Sequence, residues 1–171
     1  SILSNFNGQS FHCFRLNHGV ARCFLEQPQI HFEYNDQHQL SFGYVGNIVR
    51  GTIDREIWQK LISAYPDIKF VFWGPYCGSS GAAADSGSEE FVGFLKAAEN
   101  VELRGLKSPE KLAEEMQQMD GFLLIYNSNR EYDCSNSHKI LEYLSTGKVL
   151  VSTPIASFTG QGDLIRMSSR H

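Results

Sequence analysis

No run of eighteen consecutive apolar residues occurs in the chain, so no segment reads as a membrane-spanning helix and no membrane association is indicated. The first residues, Ser1-Ile2-Leu3, lack the basic start and apolar core of a secretory leader, which sets cytoplasmic residence as the expectation. Basic residues are outnumbered: 15 Lys and Arg stand against 19 Asp and Glu, a net charge of −4, which speaks against a nucleic-acid partner. Cysteine is sparse. Cys13, Cys23, Cys77 and Cys134 are widely spaced and form no Cys-x-x-Cys pair, so a zinc site is not expected and a reduced compartment is the simpler setting. No Asp-x-Asp occurs and the acids are scattered, so neither a metal nor any other cofactor is expected. Repeats of useful period are also missing.

What is present is enough for a core. Hydrophobic residues make up 42% and aromatics 12%, which argues against disorder, and 171 residues suit one domain. Both ends read as cut: Ser1 is not Met, and Ile165 to His171 offers no closing element.

Residues 1–39 read as a connection or terminal segment, with Phe11 to Leu16 as a possible strand, Asn17-His18-Gly19-Val20 as a turn, and Glu26 to Gln39 as a loop. Order improves at residue 40. Strands are expected at Leu40–Val45, Ile68–Trp73, Asn100–Gly105, Asp120–Tyr126 and Val149–Val151, the last buried on both faces. Helices are expected between them. Thr52 or Asp54 caps the first, which carries Ile57, Trp58, Leu61 and Ile62. Glu89–Ala98 is the second. Ser108-Pro109 opens the third. Ser135 or Ser137 caps the fourth, whose apolar stripe is Ile140, Leu141 and Leu144 and which stops at Gly147. Tyr76 to Ser88, rich in Gly, Ser and Ala, reads as a mobile loop. The alternation predicts an α/β, Rossmann-like three-layer sandwich with a mainly parallel sheet.

Lys139 and Glu142 open the fourth helix, three residues apart. A lysine there opposes the positive end of the helix dipole. Spacing alone allows a solvated ion pair or a pair that holds an anionic, hydroxyl-bearing ligand. The helix start falls on the rim formed by the strand C-ends, where ligands of such sheets bind.

Four motifs occur in order: Tyr44-Val45-Gly46, Phe70-Val71-Phe72-Trp73-Gly74-Pro75, Asn100-Val101-Glu102-Leu103-Arg104-Gly105, and His138-Lys139-Ile140-Leu141-Glu142-Tyr143-Leu144-Ser145-Thr146-Gly147-Lys148. Together they resemble the C-terminal, donor-binding half of a GT-B glycosyltransferase of the retaining group 1 (GT4-like) family, over about residues 40–155. The resemblance implies one half of a GT-B fold. It makes 40–171 a nucleotide-sugar-binding domain truncated at its C-terminus, and 1–39 the interdomain connection. It also implies a separate N-terminal, acceptor-binding domain, without which this chain is inactive as a transferase.

The resemblance assigns the donor site by position. Glu142 matches the glutamate that holds the ribose hydroxyls, and Gly46 the glycine turn against the diphosphate. Lys139 matches a lysine near the donor. Gly105 and Leu106 match the loop that meets the base. Departures are equally clear. An earlier glutamate, eight residues before Glu142, often contacts the sugar in this family; Cys134 stands there, leaving Asp133, one place off, or Glu131 as catalytic stand-in. Asn47 takes the place of an arginine, with Arg50 close by as a diphosphate contact or a plain surface charge. The alternative is a non-catalytic α/β module that binds a nucleotide or a partner. A dehydrogenase is disfavoured because Gly43-Tyr44-Val45-Gly46-Asn47-Ile48 is not Gly-x-Gly-x-x-Gly.

Overall fold

The computed structural model describes residues 19–30, 35, 37–76, 87–127 and 138–168. In chain order the elements are α1 (Arg22–Leu25), β1 (Ser41–Val45), α2 (Arg55–Ala64), β2 (Lys69–Trp73), α3 (Ser88–Ala97), β3 (Val101–Gly105), α4 (Pro109–Met116), β4 (Gly121–Leu124), α5 (His138–Ser145), β5 (Val149–Ser152), a 3-10 turn (Ala156–Phe158) and β6 (Arg166–Met167). The strands form one sheet in the order β3-β2-β1-β4-β5-β6, and every pairing is parallel. This is the strand order of doubly wound sheets, with its switch point between β1 and β4. The expected alternation is what forms.

Local signals set the helix ends. Asp54 accepts a hydrogen bond from the Ile57 N–H at 3.0 Å and caps α2. Ser108 does the same for Lys111 at 3.3 Å, with Pro109 in the first turn of α4. Gly147 ends α5 with φ +69°. On one face of the sheet, Trp58 of α2 packs against Tyr44, Phe70 and Phe72, and α3 lies beside α2. On the other, Glu115 of α4 accepts from the Trp73 indole at 2.7 Å and Tyr143 of α5 stacks on Phe122. Trp58 and Trp73 are both buried.

The segment before β1 carries a helix, α1, whose Phe24 is buried in the core beside α4 and α5. Two expectations are corrected. The stripe of α5 is rotated: Ile140 and Tyr143 are fully buried, and Leu141 and Leu144 only half-buried. β5 is covered on one face only, with Val149 45% and Val151 37% exposed. Its open face adjoins an apolar groove of about 300 Å³ lined by Phe42, Ile57, Leu61, Phe70, Leu123 and Val151 among others.

The opposite, N-terminal edge of the sheet is pinned by Asp120. One carboxylate oxygen accepts from the Ser41 N–H and hydroxyl, both at 2.8 Å, and the other lies 2.8 Å from His38 Nε2. Burial opposes its ionisation, but the bonds from Ser41 and His38 outweigh this and hold its pKa below the usual carboxylate range. The stabilisation is therefore present above the unfolded value of about 3.9 and is lost as pH falls through the folded value. Asp120→Asn is expected to lower stability at pH 7 by about 2 kcal/mol, since bonds to a charged group are broken in a buried place. Urea unfolding at pH 7 and pH 3 checks this; the difference between variant and wild type should shrink at pH 3.

Candidate functional site

At the switch point β1 leads away to β2 and β3, and β4 to β5 and β6, which is where sheets of this kind bind ligands. Beyond the strands the two sides are rejoined at Ile53 and Tyr126, where the Asp54 N–H donates to the Ile125 carbonyl and the Asn127 N–H to that of Thr52. The turn after β1 and the first turn of α5 meet at the switch point. Gly46 supplies room more than hydrogen bonds. Its N–H is committed to the Trp73 carbonyl at 2.8 Å. A methyl group on it would run into the Tyr44 hydroxyl and come within 2.9 Å of Lys139 Nζ. The lysine ammonium therefore lies in the space that a side chain on residue 46 would fill. It also stands 6.0 Å from the centroid of the Tyr44 ring.

The electrostatics follow from that seat. Burial lowers the pKa of Lys139, Glu142 counters it, and Arg50 adds to the lowering. A cation desolvated beside a second cation and a helix N-terminus is stabilised by an arriving anion. Glu142 follows three residues later on α5, half-buried. So Gly46, Arg50, Lys139 and Glu142 come together. Asn47 borders them, but its side-chain oxygen accepts from the Val49 N–H at 3.1 Å and serves its own turn.

A second part of the rim lies at the ends of β2 and β3. The Gly74 N–H donates to the Gly105 carbonyl at 2.9 Å. Gly105 has φ +67°, and a Cβ on it would lie 3.6 Å from the Tyr76 ring. Leu106 beyond it is 71% exposed. Gly105 and Leu106 thus share the C-terminal rim of the sheet with Gly46, two strands away. Asp133, Glu131 and Cys134 lie outside the described residues. Among the described residues, no three His, Cys, Asp or Glu side chains gather as a metal site would need, and no helix is long and apolar enough to cross a membrane.

Two contributors were not singled out from the sequence. Tyr143 is fully buried, and its hydroxyl bonds the backbone of Val45, next to Gly46. Burial and Tyr44 push its pKa well up, so the hydroxyl stays protonated. Gly74, read as a plain turn, has φ +124°, and a Cβ on it would collide with the Gly46 carbonyl. The Gly-Pro pair after a strand was the available signal.

No family model and no curated protein sequence matches the chain. Solved structures match it in fold. HepE of Anabaena, crystallised with UDP and glucose, is 12% identical, with a TM-score of 0.54 over 77% of this chain. The lipopolysaccharide outer core galactosyltransferase WaaB, in its apo form, is 13% identical, with a TM-score of 0.53 over 90% of this chain. The chain has the fold of one half of a GT-B glycosyltransferase. The chain spans 34% and 40% of the lengths of those two chains. The β1/β4 switch point is the place where sheets of this order hold their ligands.

Proposed function

We propose that this chain is the nucleotide-sugar-binding half of a retaining, group 1 glycosyltransferase. The observation that carries the reading is the Lys139 ammonium seated over Gly46 at the switch point, with Glu142 one turn further along the same helix. A diphosphate placed between the Gly46 turn and α5 meets the ammonium, the helix N-terminus and Arg50. Glu142, acceptor-only when ionised, takes hydrogen bonds from both ribose hydroxyls. Gly105 and Leu106 border the base.

In transfer, the bond between the sugar's anomeric carbon and the diphosphate oxygen breaks, an acceptor oxygen bonds to that carbon on the same face, and the acceptor's proton passes to the departing diphosphate oxygen. The leaving diphosphate gains negative charge as this happens. Lys139, Arg50 and the helix dipole are preorganised for that charge in a partly desolvated place. The acceptor site belongs, in this reading, to a separate N-terminal domain, and the chain alone binds donor without turning it over. HepE was crystallised with UDP and glucose, which agrees with a nucleotide and a sugar as the ligands.

Thermal unfolding with UDP, GDP and ADP tests the reading. At a ligand concentration 100 times Kd, binding stabilises by about 2.7 kcal/mol, which raises the melting temperature by several degrees. At least one of the three should do so. A flat response to all three would overturn the assignment and leave a partner-binding α/β module as the better account.

A further inference from the structure

β1 and β4 stand in register at Phe42 with Gly121 and at Gly43 with Phe122. In a parallel pair, alternate residues of a strand turn both N–H and C=O toward the same neighbour. Along β1 the odd-numbered residues face β4: the Ser41 carbonyl accepts from the Asp120 N–H, and Gly43 follows in register. Val45 is next in that series. Its N–H donates to the Tyr143 hydroxyl at 2.8 Å, and the same hydroxyl lies 3.3 Å from the Val45 carbonyl as its donor. One hydroxyl thus fills both positions that a β4 residue would have taken. The ring is stacked on Phe122, with centroids 4.7 Å apart and planes at 17°, so it cannot swing away. Val45 is followed by Gly46, and Lys139 lies one helical turn before Tyr143.

We propose that Tyr143 is a positioning residue: its hydroxyl takes the place of β4 at Val45 and fixes the Gly46 turn against Lys139 and Glu142 for a nucleotide diphosphate. This rests on the nucleotide-binding reading above. Without the hydroxyl, Val45 keeps a buried donor and acceptor that must find water or the β4 backbone. Either outcome moves Gly46 relative to α5, which carries both ligand-facing side chains. A tyrosine that merely stabilised the fold would lower the melting temperature and leave affinity alone.

The test is Tyr143→Phe, with Asp120→Asn as control, because Asp120 secures the same strand pair at its far end. Affinity for UDP, GDP and ADP is measured by calorimetry well below both melting temperatures. Tyr143→Phe should bind the preferred nucleotide about 10-fold more weakly, the scale of one lost or misplaced bond, and Asp120→Asn within twofold of wild type. Equal affinity in Tyr143→Phe and wild type would overturn the wedge while leaving the nucleotide reading intact. Failure of wild type to bind any of the three would overturn both. Should Tyr143→Phe not fold, hydrogen exchange of the wild-type Val45 amide decides: nucleotide should slow it, and unchanged exchange counts against the proposal.

Discussion

Glu142→Ala should bind nucleotide about 100-fold more weakly than wild type, because a charged acceptor shared by two hydroxyls is removed, at roughly 1.5–3 kcal/mol for each bond less what solvent restores. The melting temperature without ligand should stay close to that of wild type. Glu142 is half-buried on α5 and forms no part of the apolar core, and substitutions at such places are usually worth under about 1 kcal/mol. The two readouts together make the result specific, since a fall in both would indicate damage to α5 instead of lost recognition. Glu142→Gln sharpens the comparison: it keeps one acceptor oxygen, so its loss should fall between those of wild type and alanine. A nucleotide-induced rise in melting temperature as large in Glu142→Ala as in wild type would remove Glu142 from the site.

The second large effect concerns stability. Gly74→Ala should destabilise the fold by about 3 kcal/mol or more, from left-handed strain together with overpacking. Its φ of +124° is one that side-chain-bearing residues rarely adopt, and the added Cβ would overlap the Gly46 carbonyl. Relaxation is blocked on both sides. Gly46 is tied to Trp73, and Gly74 itself to Gly105, so the turn cannot withdraw without breaking a bond to β1 or β3. Such a change is a large share of the 5–15 kcal/mol typical of a domain. Urea unfolding measures it, and a change under about 1 kcal/mol would show that the turn can reshape.

The alternating elements were legible because each strand is a short apolar run and each helix carries its own punctuation, as at Asp54, Ser108 and Gly147. What escaped depended on partners far away in sequence. α1 has four residues, of which only Phe24 is fully buried, with Cys23 packed partly against the core. β6 has two residues and no pattern of its own. Val149-Leu150-Val151 looks buried on both faces, but which face a helix covers is settled by topology, and here one side of β5 opens onto the groove. In the site, Lys139 and Glu142 stood out through their motif. Tyr143 did not, since its partner Val45 lies 98 residues away and nothing local marks a buried hydroxyl for that task. Asn47 had a local use that composition does not reveal.

The seam between β1 and β4 also bears on how the protein folds. The bonds that bracket it, from Ser41 to Asp120 and from Val45 to Tyr143, span 79 and 98 residues. Within each half, β1 to β3 and β4 to β6, successive strands are joined by much shorter connections. Distant pairings require loop closure before they return any contact energy and so slow folding. We therefore expect the halves to order first and dock along the seam last. The approach of Lys139 to Gly46 lies on that line, so the proposed site would form only in the fully folded chain, and no early intermediate should recognise nucleotide.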